Sequence, residues 1–107
     1  YEAQEAARKI CKAGTPFQAL YQATAEVVNN GLVEIGLYKS TKPEDMVNPA
    51  TGRNRYYPHG CCHHIGLDVH DKGEYEVLES NMVIIFLKEA PVKRNGGIFR
   101  CVLKMIF

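Results

Sequence analysis

Ala3, Ala6, Ala7, Ile10 and Cys11 recur at steps of three and four residues, which predicts one buried helical face over residues 1–12. The residues between them are mostly Glu, Gln, Lys and Arg, all good helix formers. The run Ala13-Gly14-Thr15 ends this helix. A second helix follows at once. Thr15 is placed to cap it, Pro16 to occupy its first position, and Gln18 to complete a capping box. Phe17, Leu20, Tyr21, Val27 and Val28 form its apolar stripe, with Thr24 on the same face. Asn30-Gly31 weakens the pattern, residues 32–36 continue it or add a turn, and Gly36 is the stop.

Residues 39–56 are polar and rich in turn formers, which predicts a short helical turn over 43–47 and then a loop. In "GLDVHD" Leu67 and Val69 alternate with Asp68 and His70, an extended, strand-like pattern. The branched apolar run "NMVIIFL" reads as a buried strand. Beyond Leu87 a turn is expected at Asn95-Gly96, followed by a final apolar segment. Helices first and strands afterwards give the class α+β.

The chain has 107 residues, 46% hydrophobic and 23% charged, which fits one small globular domain. A net charge of +1 gives no reason to expect nucleic acid or an anionic membrane as partner. No apolar run approaches a membrane span, and no leader pattern is present. The helical pattern already runs at Tyr1, without a cap, so the chain is expected to be a piece of something longer. Cys11, Cys61, Cys62 and Cys101 match no disulfide framework, which favours a reduced, cytoplasmic setting.

The chemistry is concentrated in "HGCCHHIGLDVH", where His59, His63, His64 and His70 fall within twelve positions. A single histidine is usually structural or solvated; four so close suggest metal binding or proton transfer. Asp68 and Asp71 are candidates to orient the rings as hydrogen-bond acceptors. "CCHH" also resembles a zinc ligand set, but zinc sites leave two or more residues between paired ligands. The plainer reading of Cys61 and Cys62 is small apolar packing. Gly60 and Gly66 permit tight turns or close backbone approach, as in the wall of an active site.

"YYPHGCCHHIGLDVHDKG" resembles the pita-bread-fold metallopeptidases that cleave before proline, the bacterial aminopeptidase P (Xaa-Pro aminopeptidase) family in particular. Their pattern runs aromatic-x-H-G-x-x-H-x-hydrophobic-G-L-D-V-H-D-x-G. "YEAQEAARKICKAGTPFQAL" resembles the family's paired helices, and "LESNMVI" its L-E-P-N-M-V-I. The resemblance covers residues 1–84, an incomplete pita-bread catalytic domain. It implies a dinuclear manganese site whose bridging hydroxide attacks the bond before proline, the metals polarising the carbonyl. It further implies peptides with proline at the second position as substrates. His63 matches the metal-binding histidine. His59 and His70 match histidines that line the substrate pocket and steady developing charge. His64 falls at a variable position, expected to be a supporting or exposed residue.

The family's other four metal ligands are two Asp and two Glu. The aspartates belong upstream of Tyr1. The first glutamate belongs shortly after Met-Val-Ile, where this chain has Leu87, with Glu89 two residues out of place. The second belongs near the end, where "FRCVLKMIF" carries no acid. This chain by itself is therefore expected to be inactive. Residues 85–107 are expected to be an aberrant, frameshifted tail. Read in a neighbouring frame, with one base of each codon largely free, their codons can give a run closing on the family's V-E-D-D-I. The apolar end of such a tail is an aggregation risk.

Two other readings stand beside this one: a non-catalytic pita-bread-like binding module, and a small zinc module through Cys61, Cys62, His63 and His64. Half of a two-part domain leaves sheet edges unpaired, so marginal stability or self-association is expected. The coding DNA tests the frameshift: tail codons incompatible with the shifted reading reject it.

Overall fold

The computed structural model describes the backbone of residues 1–94 and 97–106 and the side chains of residues 1–86. The turn expected at Asn95-Gly96 lies outside the described residues, as do the side chains of Leu87, Glu89 and the tail. The order is α1 (Glu2–Ile10), α2 (Phe17–Glu34), α3 (Pro43–Met46), β1 (Val47–Asn48), β2 (Arg53–Asn54), β3 (Cys62–His64), β4 (Val83–Arg94) and β5 (Gly97–Ile106). The α+β class read from the sequence is the class observed.

Both helices form where the apolar periodicity places them. Arg8 pairs with Glu5 at 2.8 Å on the outside of α1, and Ala7 is wholly buried on its inside. The start of α2 differs from the expected cap. The Thr15 hydroxyl donates to the Ile10 carbonyl at 2.7 Å, closing the end of α1 instead. Pro16 takes an extended conformation bridged to Val77. The first free N–H of α2, at Phe17, is satisfied by the Glu76 carbonyl at 3.0 Å. A capping side chain is unnecessary because a distant backbone segment does its work.

The Asn30-Gly31 step does not interrupt α2. The helix ends as the Gly36 expectation required: φ is +78° there. The Gly36 N–H reaches the Val33 carbonyl and the Leu37 N–H reaches that of Leu32. This is the Schellman arrangement, which needs a left-handed residue that glycine adopts without penalty. α3 forms at the expected turn. The loop expected after it contains the hairpin β1–β2, with Val47 opposite Asn54 and Asn48 opposite Arg53.

β3, β4 and β5 make an antiparallel sheet in that spatial order. β4 continues across position 84 without a break, pairing with β5 through an irregularity between Lys88 and Val92. The core gathers Ala7, Phe17, Leu20, Cys61, Cys62, Leu78, Ile84 and Phe86. The helices therefore lie against one face of β3 and β4. "GLDVHD" does not form the expected strand. Residues 66–70 are a chain of bends, with Leu67 fully exposed and Val69 largely so. An alternating pattern makes a strand only where one face is covered, and among the described residues neither is. No helix among the described residues is long and apolar enough to cross a membrane.

Candidate functional site

The site is built on β3. Adjacent strand residues face opposite sides, and the cross-strand partners show which side is which. Cys62 lies opposite Phe86 and His64 opposite Ile84, all on the helix-covered face; His63 lies opposite Ile85 on the other. One register thus separates two neighbouring histidines into two environments.

His64 is a core histidine. Its ring sits 5.5 Å from Phe17 and edge-on to Tyr75 at 4.7 Å. Its Nε2 donates to the Glu74 carbonyl at 2.7 Å. Gly73 lies flat against the ring, where an added Cβ would come within 2.6 Å of Nε2. His64 is 8% exposed; of the two expectations, a supporting or an exposed residue, the second is corrected. Its polarity is tolerated in the core because its N–H has a carbonyl to satisfy it. Tyr75, Glu74 and Gly73 were not legible as its supports, since nothing in spacing joins them to His64.

His63 is 6% exposed, and its Nδ1 lies 2.8 Å from the His64 carbonyl. A carbonyl only accepts, so Nδ1 carries the proton and the lone pair of the neutral ring is on Nε2. That is the state in which an imidazole binds a metal. His70 returns to it, ring centroids 4.2 Å apart. The return is made by loop 65–71. The Asp71 N–H donates to the His64 carbonyl at 3.2 Å, and the Asp71 carboxylate accepts the Leu67 and Lys72 N–H groups at 2.9 Å each. Asp71 therefore shapes the loop that delivers His70. The expectation that it orients an imidazole directly is corrected, because the backbone carbonyl of His64 serves His63 instead. Gly66 is required here, since a Cβ would overlap the Asp71 carboxylate.

His59 has its own support. Its ring packs edge-on to Tyr57 at 5.0 Å, and its Nδ1 donates to the Gly60 carbonyl at 3.0 Å. Tyr57 is fixed in turn by stacking on Tyr21 and by donating to the Thr24 hydroxyl at 3.1 Å. Burial pushes the Tyr57 phenol up to about 12, so it remains a neutral donor. His59 lines a cavity of about 510 Å³ together with Tyr21, Arg53 and Asn54. The structure thus brings His63 and His70 together and sets His59 on the wall of a cavity.

Cys61 and Cys62 are free, buried thiols with sulfurs 3.6 Å apart. The Cys61 contact and burial together push the Cys62 thiol up. The zinc set Cys61-Cys62-His63-His64 does not converge. Strand alternation turns His63 away from Cys62, and the Nε2 of His64 is committed to Glu74. Among the described residues no group of three or more His, Cys, Asp or Glu is arranged to hold a metal ion. A dinuclear centre therefore does not fit the described residues alone.

The sequence model of metallopeptidase family M24 matches residues 1–93. The chain is 32% identical over 75 residues to the probable Xaa-Pro aminopeptidase of Phaeosphaeria nodorum, covering 70% of this chain and 9% of that protein. It is 28% identical over 75 residues to a probable Xaa-Pro aminopeptidase of Talaromyces stipitatus, covering 15% of that protein. A solved structure from Bacillus anthracis assigned as an aminopeptidase P matches 97% of this chain and 23% of its own, with TM-score 0.67 and 27% identity. The chain spans less than a quarter of the length of each of these relatives.

Gly73→Ala is expected to destabilise the protein by about 1–3 kcal/mol, the usual cost of forcing extra volume into a packed site. Urea unfolding measures it, and an unchanged midpoint would show that the His64 ring is free to move.

Proposed function

The chain belongs to metallopeptidase family M24, and on that premise we propose that it is a segment of the catalytic domain of an Xaa-Pro aminopeptidase. Such an enzyme hydrolyses the bond between an N-terminal residue and a following proline. In this reading His63 is a metal ligand, and His59 and His70 line the substrate pocket and steady charge that develops there. The observation that carries it is the state of His63: buried, with Nδ1–H held by a carbonyl and Nε2 left to accept, beside His70. The metal class is divalent. Manganese is favoured because carboxylate-rich sites suit it. Peptides with proline at the second position are the substrates, and the cytoplasm is the location, in keeping with the free thiols of Cys11, Cys61 and Cys62.

The chain alone does not turn over substrate in this account. One imidazole cannot hold two hard cations against water without carboxylates to neutralise them. Residues 85–107 are then an aberrant extension in place of the segment that would supply two of those carboxylates. β3 and β5 are the edge strands of the three-stranded sheet, and edge strands favour self-association.

Two assays test this. The isolated chain with added manganese is expected to leave Xaa-Pro dipeptides intact; clear turnover by pure protein contradicts its inactivity. An intact relative carrying residues 1–84 in place of its own matching segment is expected to be active. His63→Ala in that chimera should lower kcat/KM by more than the roughly 100-fold that loss of a ligand's supporting partner costs. A folded, metal-loaded chimera without activity, or one indifferent to His63→Ala, contradicts the assigned role.

A further inference from the structure

The Cys61–Cys62 pair has no part in that reaction, and its geometry is unusual. Neighbours within a strand face opposite ways, but Cys61 sits in a bend immediately before β3. The bend brings both thiols into the same buried cluster, with sulfurs 3.6 Å apart. Both residues also line a cavity of about 400 Å³ walled in part by Phe17, Tyr21 and Tyr75. The dithiol is shielded from bulk water yet opens onto an aromatic chamber.

Three occupants are chemically reasonable for two close thiols. A disulfide fits poorly, because adjacent Cα atoms lie only about 3.8 Å apart, short of the roughly 4.4–6.8 Å that disulfides span. Zinc completes a shell of about four ligands, and no third His, Cys, Asp or Glu among the described residues is placed to join. A trivalent centre that already bears one carbon substituent needs only two sulfurs. The sulfurs are 3.6 Å apart, close enough for a single atom to bond both.

We propose that Cys61 and Cys62 form a chelating site for monosubstituted trivalent arsenicals, with the organic substituent seated beside Phe17, Tyr21 and Tyr75. In the binding step both S–H bonds break and two S–As bonds form. The oxide oxygen of the arsenical takes the two protons and leaves as water, so neither sulfur nor arsenic changes oxidation state. Cys11 packs against the same cluster; burial pushes its thiol up to about 11.

Phenylarsine oxide added to the 107-residue chain tests the site. One phenylarsenic group per chain is expected by intact mass, carried on the tryptic peptide Tyr56–Lys72. Cys61→Ser and Cys62→Ser should each abolish it, and Cys11→Ser should not. Release by 2,3-dimercaptopropanol should be slower in native than in urea-unfolded protein by about tenfold or more, the factor expected from burying a phenyl ring. Label bridging Cys11, an adduct surviving either serine variant, or equal release from native and unfolded chains would overturn the proposal. Peptide mapping and release use the unaltered chain, so they decide the matter even where a serine variant fails to fold.

Discussion

The antiparallel pairing of Cys62, His63 and His64 with Phe86, Ile85 and Ile84 is the constraint from which the rest of the molecule's chemistry follows. Strand residues alternate between faces, so this register sends Cys62 and His64 toward the helices and His63 away from them. A slip of one residue would exchange the two environments. It would place His63 among Phe17 and Tyr75 and turn the ring of His64 out of the core. Packing of Cys62 in the core and of the His64 ring against Phe17 and Tyr75 holds the register. That packing decides which imidazole faces the other way.

The surrounding elements serve that pairing. The Phe17 and Gly14 N–H groups and the Leu78 N–H bind backbone across the junction between the helices and residues 76–78. This ties the start of α2 to the segment leading into β4 and fixes Phe17 against His64. The loop from β3 returns His70 through Asp71, whose carboxylate is spent on backbone N–H groups. Tyr57, anchored by Thr24 on α2, sets His59 in place. Each of the three histidines read from the motif is held by a different device: a carbonyl, a loop and an aromatic support.

Much of this was legible in the sequence where the signal was local. The α1 and α2 periodicities, the Gly36 stop and the buried run at Ile84–Phe86 are properties of a few neighbouring residues, and they appear where expected. The motif placed His59, His63 and His70 in one segment, and the family match is consistent with that resemblance. What was not legible depended on distant partners. Thr15 looked like a cap, but the segment at Glu76 satisfies the helix start and frees its hydroxyl for Ile10. Leu67 and Val69 alternate as a strand does, but no layer covers them among the described residues, and pattern without cover gives bends. His64 and His63 are identical as letters; only the register of β3 against β4 tells the core residue from the ligand candidate. The Cys61 bend, which joins two thiols that strand geometry would separate, left no trace in spacing.

The opposed states of the two neighbouring histidines are the most direct mark of that register. Nitrogen-resolved NMR of the histidine side chains, at a pH where the rings are neutral, reads which nitrogen bears the proton. The account predicts His63 protonated at Nδ1 and His64 at Nε2, with the His64 proton protected by the Glu74 carbonyl. The same tautomer at both residues, or His63 protonated at Nε2, would contradict it.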